Sequence, residues 1–178
     1  VNRGPAAAAD NRRALIAAAR QIYAELGPDA PFSAVARRAA VGQGTLYRHF
    51  PDRLALAVAV FDENVGELED ALQERGTILG LLDRVIAQAS VSTAFIRLLT
   101  EQQRDPRARE LAARFERLVD VLLARDEASG RIGAHVGAID VSIAVSMLAH
   151  ELASTPEGDR AAVASHARRL FELAFAPR

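Results

Sequence analysis

The stretch SAVARRAAVGQGTLYRHFPDR, Ser33 to Arg53, decides the fold. Val35, Ala36 and Ala39 recur at helical spacing, and Ser33 is placed to cap the helix that they define. Val41 and Gly42 make a tight turn, after which a second short helix spans Gln43 to His49 with Leu46 and Phe50 turned inward. Helices this short do not hold themselves up, because helix nucleation is costly. They persist when clamped through shared apolar residues, as in a helix-turn-helix. The second helix then exposes Gln43, Gly44, Thr45, Tyr47, Arg48 and His49, with no acid among them. Such a helix start favours a phosphate.

Outward from this segment, helical spacing continues in both directions. A first helix is expected from Asp10, its N-cap, to Leu26, with Leu15, Ala19, Ile22, Tyr23 and Leu26 on one face and Gly27-Pro28 ending it. Residues 1–9 have no face to bury and read as a mobile tail. Pro51 breaks the chain and Asp52 caps a long fourth helix, along which Leu54, Val58, Phe61, Val65, Leu68 and Leu72 form a stripe that must be buried. Beyond Gly76, helices are expected near 77–89, 90–104, 107–128, 138–153 and 158–175. Alternating apolar runs and Asn-Gly or Asp-Gly turns are missing, so strands are not expected. The fold class is all-α: a three-helix helix-turn-helix domain over residues 10–52, then a helical bundle over 53–178.

Composition narrows the function. The chain has 178 residues, 50% hydrophobic and 25% charged, enough to bury a core. Cysteine is absent, which excludes disulfides, a thiol nucleophile and thiolate metal sites. The longest apolar run, Leu54 to Phe61, is far short of a membrane span, and no secretory signal is visible, so a cytoplasmic location is the expectation. The net charge of -1 conceals an asymmetry: residues 1–53 carry eight Arg against four acids, whereas the rest of the chain is net acidic. All 22 basic residues are Arg. A basic head on an acidic body points to a polyanion met by the head alone.

Enzyme chemistry finds no support. Gly42-Gln43-Gly44 lacks the third glycine and the preceding strand of a dinucleotide fingerprint. The four His never fall three to five apart, so no helical metal pair exists, and no Gly-x-Ser-x-Gly elbow occurs. No catalytic residue, metal or cofactor is expected.

The run Thr45 to Arg53, preceded by Ala39-Ala40-Val41 and by a helix ending at Gly27, resembles the tetracycline-repressor (TetR) family of bacterial one-component regulators. The resemblance covers residues 12–61, about a quarter of the chain. It implies that Gln43, Gly44 and Thr45 lie at the DNA groove, and that Tyr47 and His49 grip phosphate oxygens. Arg48 would reach a phosphate or a base edge. Arg53 stands where the family commonly has Lys, and Ser33 at a capping position that often touches the DNA backbone. Arg12 and Arg13 could add electrostatic contacts. Two positions depart from the family pattern. Ala40 replaces a glycine, at a cost of about 1 kcal/mol if the left-handed geometry is kept. Gly42 replaces a Ser cap and removes a hydroxyl.

The resemblance further implies a homodimer on a pseudo-palindromic double-stranded operator, built from the last two helices. Val141, Val145, Leu148 and Leu152, with Val163, Leu170, Phe171 and Ala174, offer faces for it, the alternative being internal core. Family members usually hold a small effector in the body, which here is of unknown identity. Phe61, Val65, Phe95, Arg97, Phe115, Met147 and His150 are the candidates to line its site, against plain packing for the apolar ones and a surface or paired position, with Asp83 or Glu101, for Arg97. The function implied is a repressor released from DNA by that effector. The alternative is a regulator controlled by a protein partner.

Overall fold

Four alanines behind Pro5 are strong helix formers, and proline is well tolerated at a first helical position. The first helix accordingly begins at Pro5 rather than Asp10, so the expected tail is helical from residue 5. Asp10 sits inside that helix, paired with Arg13, and is no cap. The structure, a computed structural model, describes all residues except 1–4, 27–29, 74, 89–92, 94–96, 98–100 and 103, and omits the side chains of residues 5 and 6. Among the described residues the helices are α1 (Pro5–Leu26), α2 (Phe32–Arg38), α3 (Gln43–His49), α4 (Arg53–Leu72), α5 (Ile78–Ala87), α6 (Pro106–Ala128), α7 (Ala138–Ser154) and α8 (Arg160–Phe175), with no strand. The helix expected over 90–104 falls mostly outside the described residues. None of the described helices is long and apolar enough to cross a membrane.

The chain divides into two compact units, residues 1–64 and 65–178, and the division falls inside α4. The boundary expected from the sequence, between residues 52 and 53, is the start of α4. In the first unit α1 packs on both α2 and α3. Leu15, Ala19, Ile22 and Tyr23 are buried as expected, whereas Leu26 is exposed. Val35 and Ala36 of α2 and Leu46 and Phe50 of the α3 segment are buried, and Ala39 is half-buried. On α4 the buried residues of this unit are Leu56, Val60 and Phe61; Leu54 and Val58 of the expected stripe are only half-buried. The run from Leu54 to Phe61 is apolar all round, so spacing alone does not choose its inner face. Asp52 caps α4 as expected, accepting from the Ala55 N–H at 2.6 Å.

Two local details depart from expectation. Pro31, not Ser33, is the N-cap of α2, and its carbonyl accepts from the Ala34 N–H at 2.8 Å. Ser33 therefore lies in the first turn. At the other end of α2, Ala40 has φ of 54°, the left-handed region. Its N–H reaches the Arg37 carbonyl and the Val41 N–H reaches the Ala36 carbonyl, which together make a Schellman motif with alanine in the glycine position. Ala40→Gly should therefore stabilise the first unit by about 1 kcal/mol. Urea denaturation followed by tyrosine fluorescence checks this, because both tyrosines, Tyr23 and Tyr47, lie in that unit.

The second unit is built around α5, which contacts α6, α7 and α8. Its core includes Leu81, Leu82, Leu122, Val141, Leu148 and Leu152. The corner between α4 and α5 is held from α6. Arg125 Nη1 donates to the carbonyls of Leu72 (2.9 Å) and Gly76 (3.1 Å), and Nη2 to that of Gln73 (2.7 Å). The adjacent Asp126, fully buried, accepts from the Ile78 N–H at 2.7 Å and from Arg131 Nε at 2.8 Å. A Cβ on Gly76 would stand 2.4 Å from the Leu72 oxygen, so the corner needs glycine.

Candidate nucleic-acid interface

With Leu46 as its one buried residue, α3 is anchored on a single apolar contact line and offers the rest of its surface outward. Gln43, Gly44, Tyr47 and Arg48 are exposed, and Thr45 and His49 are half-buried. Tyr47 is 55% exposed while its ring lies edge-on to Phe32 of α2 at 5.3 Å. One side of the phenol is thus braced and its outer part is open. The His49 ring leans on Phe50, 6.4 Å between centroids, and the Arg12 guanidinium covers the Phe50 ring at 4.7 Å. The order is consistent: buried aromatics fix where the polar groups of this surface stand.

Charge pairing sorts the arginines of the first unit. Arg38 is taken up by Glu25, through a two-pronged contact at 3.0 and 2.7 Å, and by Gln21. Those bonds from Arg38 hold the Glu25 carboxyl below the usual range. Arg13 pairs with Asp10, and Arg20 with Glu63 at 3.6 Å. No carboxylate among the described residues forms an ion pair with Arg37, Arg48 or Arg53, all exposed. Arg53 lies near enough to the buried Tyr23 to oppose the effect of burial, which pushes that phenol up to about 12. Arg37 was missed as a candidate. It lies one turn after the half-buried Ser33 on the same face of α2, and that i, i+4 relation was legible beforehand.

The residues expected at a dimer seam separate. Val141, Val145, Leu148 and Leu152 are buried in the core of their own unit, so they do not offer a face to a partner. Val163 and Phe171 are half-buried against the same core. Leu170 and Ala174 are exposed. The outward apolar residues of α7 are instead Ile139, Ile143 and Met147, four apart, and those of α8 are Leu170 and Leu173; all five are at least 50% exposed.

The residues expected to line an effector site are placed as follows, each within its own unit. Met147 and His150 face outward on α7, and Arg97 is exposed with Nε 2.6 Å from Glu101 Oε1. That removes the argument from a buried cation. Phe95 lies outside the described residues. Phe61 is buried in the first unit, Val65 is buried in the second, and Phe115 is half-buried against the second core.

Residues 15–60 match the family described as bacterial regulatory proteins, tetR family. None of the curated proteins matches the chain. Solved structures do, over nearly the whole length. The TetR transcriptional regulator SCO0520 from Streptomyces coelicolor is 25% identical over 93% of this chain and 98% of its own, with a TM-score of 0.63. A TetR-family regulator from Agrobacterium tumefaciens is 16% identical over 95% and 99%, with a TM-score of 0.69. The regulator FadR from Bacillus subtilis, solved in complex with stearoyl-CoA, is 17% identical over 89% and 96%, with a TM-score of 0.61. At the latter two identities the likeness is one of fold.

Proposed function

We propose that this chain, a DNA-binding transcriptional regulator of the TetR family and not an enzyme, works as a homodimeric repressor that a small lipophilic molecule releases from its operator. The observation that carries the dimer is that α7 exposes the apolar stripe Ile139, Ile143 and Met147, and that α8, which packs on α7, exposes Leu170 and Leu173. A helix such as α7, apolar towards its own core and apolar outward as well, is of the kind found covered on both sides. Large apolar side chains left exposed at helical spacing are what an interface covers, and a two-fold axis lets one surface cover its own copy. Leu170 and Ala174 belong to this seam. Two heads then meet consecutive turns of a pseudo-palindromic duplex.

In each head Gln43 and Thr45 face the groove, while Tyr47, Arg48, His49 and Arg53 hold phosphates together with Ser33. Phosphate contacts position the protein and base contacts specify the sequence. The support for a lipophilic effector is the stearoyl-CoA carried by the structurally similar FadR.

The test is a mobility shift with the DNA upstream of the chain's own gene, where binding should weaken steeply as salt rises. Tyr47→Phe combined with His49→Ala should weaken every duplex to a similar degree. Thr45→Ala should change which sequence is preferred, by about 1–3 kcal/mol at one base pair. Equal and unselective losses from both would reverse the assigned roles. For the effector, long-chain acyl-CoA should raise the melting temperature and release the DNA; no response across a lipophilic panel removes that part of the reading.

A further inference from the structure

The outward faces of α7 and α8 carry more than apolar residues. His150 follows Met147 by three residues and Ile143 by seven, so it shares their face and is exposed with them. On α8, His166 precedes Leu170 by four residues and Leu173 by seven, and it too is exposed. Each helix thus sets one histidine among its exposed apolar side chains. Neither imidazole has a carboxylate partner among the described residues. The His166 Nδ1 stands 2.9 Å from the Ala162 carbonyl, which can only accept, so Nδ1 carries the hydrogen and Nε2 is left to take a further proton.

The charges nearby are engaged or turned aside. On α7, Asp140 accepts from the Gly137 N–H at 2.8 Å, and Glu151 lies about 100° around the axis from His150. On α8, Arg160 donates to the Thr155 carbonyl at 2.9 Å and Arg169 to the Ser165 Oγ at 3.1 Å. Arg168 is held by Asp83 of α5 at 2.7 Å, with Glu172 at 3.6 Å. The helices α5 and α6 pack on the side of α7 that carries Val141 and Leu148, so their charged residues do not face His150.

We propose that the seam between two copies is a pH-sensitive switch, closed while His150 and His166 are neutral and opened by acid. The inference rests on the dimer reading above and adds the condition under which the seam parts. Histidine changes its charge close to neutral pH. Between two apolar faces a protonated imidazole would lose its water with no carboxylate to replace it, so joining favours the neutral form. The dimer is therefore at full strength above the range where histidine titrates and weakens as pH falls through it. A two-fold axis doubles the pair of histidines, which makes the response steep.

Sedimentation of the full chain at about pH 7.5 and about pH 5.5 is the test, a window in which exposed carboxylates stay charged while histidine takes up its proton. The Kd of the dimer should rise by about a hundredfold or more at the lower pH, with helicity unchanged. In His150→Gln combined with His166→Gln, Kd should move by less than about threefold between the two conditions, because glutamine binds no proton there. If that pair does not dimerise, either single substitution should cut the pH response by about tenfold. His49, in the first unit, and His135, on the Ala174 carbonyl, remain in every variant and report what other histidines contribute. A wild-type dimer equally tight at both pH values overturns the proposal, as does a variant that keeps the full response. A chain that is monomeric at the higher pH overturns the dimer reading itself, and this inference with it.

Discussion

Met147→Glu together with Leu173→Glu should turn the protein into a folded monomer whose affinity for its duplex is lower by about a hundredfold or more. Both side chains point away from the core of their own unit, so helicity should be unchanged. In a two-fold seam each substitution occurs twice, and four carboxylates would have to lose their water against apolar neighbours. The size of the loss in DNA affinity follows from separating the two heads, because a single head reads one half-site without the second tethered beside it. Sedimentation gives the oligomeric state and anisotropy the affinity. A variant that still sediments as a dimer would place the seam elsewhere.

Leu46→Ala carries the second large effect. Leu46 is fully buried and is the only residue of α3 that is. Removing three carbons from such a site typically costs about 2–5 kcal/mol, and a seven-residue helix has no propensity to absorb the loss. Denaturation by urea, read through Tyr23 and Tyr47, should show a lower midpoint with an unchanged slope. Sequence-specific DNA binding should fall in proportion as the head unfolds. An unshifted midpoint would mean that α3 is held by something other than Leu46.

How much of this was readable in advance differs along the chain. In α2 and α3 the apolar positions are set among polar and charged ones, so Val35, Ala36, Leu46 and Phe50 declare the clamp from the sequence. The bounds of α3 and the cap at Asp52 were equally legible, because each rests on local chemistry. The start of α1 was not: Asp10 resembles a cap, yet four alanines before it prefer to stay helical. The two faces of α7 were not legible for a related reason. Val141, Val145, Leu148 and Leu152 and the set Ile139, Ile143 and Met147 are both apolar and both at helical spacing, so periodicity could find two faces without ranking them. Only the packing of α5 and α6 against one of them decides. For Arg97 the apolar neighbours in sequence and the acid four residues later left burial and a surface pair both open, and the surface pair with Glu101 is the one formed.

The two neighbouring residues Arg125 and Asp126 serve opposite ends of consecutive helices, one gathering the last carbonyl of α4 with those of the turn that follows and the other the first amide of α5. Each lies on the face of α6 from which it can reach its own target. One inserted or deleted residue just before this pair would turn both by about 100° around the axis. Both helix ends would then come unhooked in a single event. The register of α6 is thereby fixed at this point, and changes in chain length among related proteins belong in the loops, however freely its outer surface exchanges one side chain for another.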